Sequence, residues 1–197
     1  LVEGVRQLSE RYDGFILDQF GVLLNGREAL PGAIECLDEL HRRGKKLVIL
    51  SNTSKREAFA MQRLPHYGFK PSLFSGGITS GEEGLQHILA NGLANKRAVI
   101  LTWHGPDSDG LLEAAGLIPS AVEDADIILC HGPDVMVTDA GPTDTELRTT
   151  GSLDAYAGVA LRRGLPMLNL NPDIRVNNPD GGLLYMPGLI AEAYEQM

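Results

Sequence analysis

The sequence of 197 residues is poor in cysteine, in basic residues and in long apolar runs, and each shortage narrows the class of protein. Its two cysteines, Cys36 and Cys130, lie far apart and lack metal-ligand spacing. We therefore expect reduced core thiols of a cytoplasmic protein rather than a disulfide framework. The apolar runs, such as residues 127–130, are too short to span a membrane, so no membrane partner is expected.

The scarcity of basic residues argues against a nucleic-acid partner. The sequence has 17 Lys and Arg against 26 Asp and Glu, which gives a net charge of −9 without a basic stripe. Nucleotide-binding loops are also missing: no G-x-G-x-x-G follows a strand, and Glu82 stands where a phosphate loop needs a lysine. We interpret the Gly/Ser-rich stretch 75–81 as a crossing between domains, with Thr79 or Ser80 capping the next helix.

Short apolar runs alternate with amphipathic stretches along the chain, which predicts an α/β fold with parallel strands. The predicted strands are residues 14–18, 46–50, 97–102, 126–131, 166–170 and 182–186. The predicted helices are residues 2–11, 32–43, 54–64, 80–91, 107–115, 152–163 and 188–196.

Two of these strands end on polar residues that suit chemistry. Asp18 ends the first, and Ser51 and Asn52 end the second. In a doubly wound sheet, ligands bind beyond the carboxyl ends of adjacent strands, and a hydroxyl with free amides at a helix start suits phosphate. Read alone, Asp18 also fits an ordinary turn, and Ser51 with Asn52 an ordinary helix cap.

These residues resemble a known family, the haloacid dehalogenase-like (HAD) phosphatases. The turn 18–21 with Val22 and Leu23 resembles their first motif, a strand followed by D-x-D-G-x-x, and the strand ending Ser51-Asn52 resembles their second. The segments 30–32, 171–173 and 187–188 are similar to subclass IIA, and the likeness runs from about residue 12 to residue 197.

The resemblance implies a doubly wound, Rossmann-like parallel-sheet core with a large inserted α/β cap. The implied domains are residues 1–78 for the N-terminal part of the core, 79–187 for the cap, and 188–197 for the start of the return to the core.

The resemblance also implies an activity, that of a hydrolase acting on small phosphorylated metabolites through an aspartyl phosphate, with Mg²⁺. Carried over, Asp18 is the nucleophile and a metal ligand, Phe20 lends its backbone carbonyl to the metal, and Ser51 and the Asn52 amide bind the phosphoryl oxygens. The substrate-lining residues implied in the same way are Gly26, Asn171 and Asp173.

Phe20 departs from the family pattern, which usually has a second aspartate there. A phenyl ring transfers no proton, and such assistance is typically worth about 10²–10⁴ in rate. In this respect the chain is most similar to a subclass IIA branch of unassigned function with an aromatic residue at this place. Three alternatives stay open: another residue supplies the proton, the leaving group needs none, or the protein is a weakly active or non-catalytic binding protein.

The family's later motifs, a lysine and an acidic pair, have no counterpart after the cap, since no lysine follows Lys96. We interpret the chain, which begins with Leu, as a fragment whose core has only the strands 14–18 and 46–50, with an apolar flank exposed. Such a chain is expected to bind Mg²⁺ weakly and, by itself, to turn over no phosphate ester.

A competing alignment takes Lys96 as the third motif and Asp134 with Asp139 as the fourth, in a small-cap phosphatase. It requires strand 126–131 to lie beside strand 14–18, and it leaves residues 140–197 unexplained, so we prefer the cap interpretation. A signalling receiver with Asp18 as phosphoacceptor is disfavoured, because receivers are far shorter. His104 and His131, after two cap strands, are expected either to contact substrate or to hydrogen-bond loops. Spacing specifies neither the substrate nor the oligomeric state.

Overall fold

The computed structural model describes residues 4–156, 164–178 and 180–196. These residues form two compact units. The first unit comprises Leu1–Ser51 and Glu57–Thr79, and the second comprises Asn52–Arg56 and Ser80–Met197.

The first unit is a three-stranded parallel sheet with short helices. Its strands, in the order β1-β2-β3, are Gly14–Leu17, Lys46–Ser51 and Gly76–Thr79. Its helices are α1 (Val5–Ser9), α2 (Ala33–Arg42) and α3 (Glu57–Gln62), with 3-10 turns at Leu64–Tyr67 and Pro71–Leu73.

The core of the first unit lies on one face of this sheet. Leu47 and Ile49 of β2 pack in it with Leu37 and Leu40 of α2. Helix α2 begins after Gly32, whose φ of 80° opens the turn into the helix without side-chain strain. The helix therefore buries its apolar stripe on the same face as the odd-numbered residues of β2.

The second unit contains a six-stranded mixed sheet of order β8-β7-β4-β6-β9, with β5 also paired to β4. These strands are β4 (Arg97–Thr102), β5 (Ile118–Pro119), β6 (Ile127–Cys130), β7 (Val135–Thr138), β8 (Gly141–Asp144) and β9 (Met167–Asn169). A separate antiparallel pair is formed by β10 (Arg175–Asn177) and β11 (Leu183–Tyr185). The helices are α4 (Ser80–Ala90), α5 (Leu111–Ala115), α6 (Leu147–Thr150) and α7 (Pro187–Glu195).

The predicted α/β class with a parallel sheet is confirmed, and each predicted strand is present within about one residue at either end. The predicted helix 152–163 falls partly on residues 157–163, outside the described residues; Asp154–Tyr156 forms a 3-10 turn. Among the residues that the structure describes, no helix has both the length and the apolar character needed to cross a bilayer.

The expectation that the first sheet has only two strands is wrong. The stretch 75–81 does contain the crossing from the first unit to the second, between Thr79 and Ser80, but it also contains β3, which pairs with β2 over four residues. Glycine at position 77 lets α3 pack close to β3, because a Cβ there would lie 3.2 Å from the sulfur of Met61 on α3. Among the described residues, β1 pairs with β2 alone, so its outer edge is uncovered as expected, and one face of the sheet, including Ile16 and Leu50, is exposed as well.

The strand pairing required by the competing alignment is also wrong. Strand β6 pairs with β4 and β9 in the second unit, whereas β1 pairs with β2 in the first. The acidic residues after β6 therefore do not follow a strand that pairs with β1, the strand that precedes Asp18.

Candidate active site

Asp18 lies directly after β1, on a tight turn. It is exposed, and one of its carboxylate oxygens accepts a hydrogen bond of 2.7 Å from the backbone N–H of Gln19. The turn is closed by bonds from Gly21 N–H to the carbonyl of Leu24 (2.8 Å) and from Leu24 N–H to the carbonyl of Gln19 (3.0 Å). Gly21 has a φ of 80°, which a glycine adopts without strain. The turn therefore fixes the backbone that carries the carboxylate.

Ser51 and Asn52 follow on the neighbouring strand. Because Leu17 is the register partner of Ile49, Asp18 stands one residue beyond that pair and Ser51 two residues beyond it. Adjacent strands lie about 4.8 Å apart and rise about 3.3 Å per residue, so both residues lie at the carboxyl-terminal end of the sheet. Ser51 is buried and Asn52 is half-buried. The structure thus brings Asp18 and Ser51 to the carboxyl ends of adjacent parallel strands.

Phe20 and Gly26 lie against each other. A Cβ on Gly26, whose φ is 93°, would be 3.0 Å from Cε2 of the Phe20 ring, so only glycine fits here without displacement. Phe20 is 44% exposed. The Phe20 ring therefore packs against the loop at Gly26. It has no proton to transfer at the position where the family usually has a second acid.

Asn171 and Asp173 form a turn in the second unit. The buried Asn171 accepts a hydrogen bond of 3.0 Å from the N–H of Asp173, whose carbonyl accepts one of 2.8 Å from Gly188 at the start of α7. These bonds account for the turn by local structure alone. A substrate-lining role for these two residues and for Gly26 stays a prediction.

The metal donors near β1 are few. Within residues 4–156, 164–178 and 180–196, no group of three or more His, Cys, Asp or Glu residues is placed to hold a metal ion. The carboxylate of Asp18 and the carbonyl of Phe20 are hard oxygen donors, which Mg²⁺ prefers, and Mg²⁺ usually keeps several waters. These two donors fit Mg²⁺ when waters or phosphoryl oxygens complete the coordination.

Asp134, the acid of the competing alignment, is held by structural partners. Its carboxylate is buried, accepts a hydrogen bond of 3.2 Å from His104 N–H and pairs with Nη1 of Arg148 at 3.3 Å. Asp139 lies in the exposed turn between β7 and β8. The contacts account for Asp134 without a metal, and Lys96 directly precedes β4.

His131 follows β6 and contacts the end of β4 at Thr102 and the backbone of Ser54 in the loop after β2. It is 1% exposed, and its Nδ1 lies 3.0 Å from Oγ1 of Thr102. Burial, together with the charge of Lys55, lowers the pKa of His131 to about 4, so the ring is neutral at pH 7.

Sequence reasoning missed the residues that hold the loop after β2. This loop, Asn52–Arg56, belongs to the second unit, where Asp109 pairs with Lys55 at 3.1 Å and the indole N–H of Trp103 donates to Ser54 at 3.0 Å. These partners are about fifty residues apart in the chain, and no local pattern indicates them.

Comparison with known proteins agrees with the fold and identifies the family. A family model described as haloacid dehalogenase-like hydrolase matches residues 15–118. Chronophin from Bos taurus is 32% identical over 118 residues, which is 57% of this chain and 39% of chronophin. Glycerol-3-phosphate phosphatase from Mus musculus is 32% identical over 156 residues, which is 72% of this chain and 43% of that enzyme.

Solved structures show the same fold. A haloacid dehalogenase-like hydrolase from Brucella suis aligns over 100% of this chain and 69% of its own, with a TM-score of 0.79 and 22% identity. Glycerol phosphate phosphatase from Mycobacterium tuberculosis, determined in complex with magnesium, aligns over 95% of this chain and 52% of its own, with a TM-score of 0.60 and 24% identity. The chain spans about two fifths of the length of the curated relatives it matches.

Proposed function

The chain belongs to the haloacid dehalogenase-like hydrolase family, and we propose that it acts as a Mg²⁺-dependent phosphohydrolase of small phosphorylated metabolites. The observation that carries the proposal is the placement of Asp18 and Ser51 at the carboxyl ends of adjacent parallel strands. The relative named glycerol-3-phosphate phosphatase supports a small phosphate ester as the substrate class.

In the proposed reaction, a carboxylate oxygen of Asp18 attacks phosphorus and the bond from phosphorus to the leaving oxygen breaks. Water then attacks the aspartyl phosphate at phosphorus, which releases inorganic phosphate and returns the Asp18 carboxylate. The hydroxyl of Ser51 and the backbone N–H of Asn52 donate hydrogen bonds to the phosphoryl oxygens during both steps.

Mg²⁺, when bound, offsets the repulsion between the Asp18 carboxylate and the anionic phosphate. Asp18 and the backbone carbonyl of Phe20 are the residues that would hold it. The magnesium complex of the phosphatase from Mycobacterium tuberculosis supports this choice of cation. We also propose a cytoplasmic location, because Cys36 and Cys130 are both free thiols.

The test of the nucleophile is Asp18→Asn, with Asp13→Asn as the matched control at the other end of β1. The Asp13 side chain is fully exposed, and its carboxylate pairs with Nζ of Lys45 at 3.2 Å. We expect Asp18→Asn to reduce Mg²⁺-dependent hydrolysis of a panel of phosphate esters to background, while Asp13→Asn keeps the unaltered rate. Activity that survives Asp18→Asn would show that another group is the nucleophile.

A second candidate, a non-catalytic or weakly active binding protein, is favoured by one observation: Phe20 supplies no proton to the leaving group. The two candidates separate on Phe20→Asp, assayed with an aryl phosphate, whose leaving group departs as a stable anion, and with an alkyl phosphate, whose leaving group needs a proton. The assay uses the longest available chain that contains these residues. For a phosphohydrolase we expect that chain to turn over the aryl ester, and Phe20→Asp to raise the alkyl rate by about 10²-fold or more. No turnover of either ester by either chain would favour the binding protein.

A further inference from the structure

Among the contacts that hold the loop after β2, the buried carboxylate of Asp109 is one that bonds two consecutive loop residues, Lys55 and Arg56. We propose that Asp109 is a positioning residue for phosphate binding, because it fixes the backbone of the segment Asn52–Arg56 that contributes the Asn52 amide. This inference rests on the proposed function and adds to it a residue from outside the strand-end site.

Asp109 contacts the loop through both carboxylate oxygens. Oδ1 accepts a bond of 3.1 Å from Nζ of Lys55, and Oδ2 accepts one of 2.8 Å from the backbone N–H of Arg56. The Asp109 side chain is fully buried. A buried carboxylate is costly unless it is paired and hydrogen-bonded, so these two bonds are strong and direct Asp109 to one geometry.

Other contacts hold the same loop within the second unit. The carbonyl of Thr53 accepts a bond of 3.1 Å from Gly81 N–H, and Oγ of Ser54 accepts one of 3.0 Å from the indole N–H of Trp103. The backbones also pack closely, because a Cβ on Gly81 would lie 2.1 Å from the carbonyl oxygen of Ser54. Each residue from Thr53 to Arg56 thus has a partner at or beyond residue 80.

This anchoring matters for chemistry because of where the loop begins. Asn52 directly precedes the anchored residues, and a backbone N–H binds a phosphoryl oxygen only when its direction is fixed beforehand. The Arg56 N–H and the Lys55 ammonium both donate to Asp109. This carboxylate therefore sets the conformation of the loop before phosphate binds. The conformational entropy of the loop is then lost when the chain folds, and phosphate binding does not have to order the loop.

The experiment compares Asp109→Asn with Asp107→Asn in the full chain. Asp107 is the matched control: it lies two residues away, and its Oδ2 accepts the N–H of Glu113 in α5 at 3.0 Å instead of a loop residue. Two quantities are measured: hydrogen exchange of the amides of residues 52–56, and the affinity for inorganic phosphate with Mg²⁺ by calorimetry. We expect Asp109→Asn to speed exchange in the loop and to weaken phosphate binding by about tenfold, with both quantities unchanged in Asp107→Asn.

Trp103→Phe keeps one aromatic ring and removes the indole N–H that donates to Ser54, so it tests the same loop should Asp109→Asn fail to fold. We expect the same two changes, with a loss of affinity of about two- to fivefold. Faster loop exchange with unaltered phosphate affinity would overturn the positioning role, and so would unaltered exchange. If the unaltered chain binds no phosphate at all, the proposed function itself fails, and the inference fails with it.

Discussion

The two sheets of the molecule differ in how many of their faces are buried. In the second unit, neighbouring residues of β4 point to opposite sides and both are buried: Ile100 packs in one apolar cluster, and Leu101 packs in another. Strand β6 follows the same pattern, because Ile127 and Ile128 also belong to different clusters. This sheet is therefore enclosed on both sides by apolar side chains.

In the first unit only one face is buried. Leu47 of β2 is 0% exposed, whereas Ile16, Leu50 and Ile78 on the opposite face are 73%, 49% and 46% exposed. The strands of both sheets nevertheless have similar apolar sequences, such as KLVIL in β2 and AVIL in β4. Parallel sheets usually have both faces covered, and their strands then read as continuous apolar runs. A continuous apolar run therefore indicates a strand that can be covered on both faces. Whether both faces are in fact buried has to be determined from the fold.

The largest expected effect on this comparison comes from shortening a buried side chain on either face of β4. We expect Ile100→Ala and Leu101→Ala each to lower the free energy of unfolding by about 2–5 kcal/mol, because both side chains are buried. Trp103 is the only tryptophan in the sequence and lies in the second unit, so its fluorescence in urea reports on this unit alone.

The matched control for β4 is Leu89→Ala on α4, whose side chain is 48% exposed. It should cost less than about 1 kcal/mol. A small cost for one of the two β4 variants would mean that one face of the second sheet is less enclosed than its burial indicates.

Acid should destabilise the second unit in particular, because it buries a neutral histidine. The pKa of His131 is lowered to about 4 by burial and by Lys55, against the opposing effects of Asp109 and Asp107. The folded pKa is below the unfolded value, so the contribution of His131 is present above about pH 6.5 and is lost as the pH falls towards about 4. The full range corresponds to about 3 kcal/mol, of which about 2 should be lost by pH 5.

The measurement is urea unfolding, followed by Trp103 fluorescence at pH 7.5 and pH 5, of the unaltered chain, His131→Gln and His104→Gln. The side chain of His104 is 61% exposed in the same unit, so its variant should keep the original pH dependence. We expect His131→Gln to lose about 2 kcal/mol less than the unaltered chain between the two pH values. Equal pH dependence of all three chains would show that another group causes the acid sensitivity.

The sequence predicted the parts of the fold that depend on local pattern. The strands 14–18 and 46–50 and the polar residues at their ends were readable, because apolar runs and strand-end acids are adjacent in the chain. The β7–β8 hairpin was not predicted, since Asp139 in its turn was read as an acid of an alternative metal motif. The role of Asp109 was also missed, because its partner Lys55 is 54 residues away.

The smallest expected effect tests the open face of the first sheet with two leucines of the same strand. Leu50 and Leu47 lie three residues apart on opposite faces of β2, 49% and 0% exposed. We expect Leu50→Ala to change the stability of the first unit by less than about 1 kcal/mol, and Leu47→Ala to lower it by about 2–5 kcal/mol. Hydrogen exchange of the β1 amides in low urea measures this unit without signal from Trp103. Because an exposed apolar face binds hydrophobic dyes, Leu50→Thr together with Ile16→Thr should lower the fluorescence of such a dye while β1 exchange stays nearly unchanged. A cost for Leu50→Ala as large as that for Leu47→Ala would show that this face is buried in solution, and the contrast between the two sheets would then disappear.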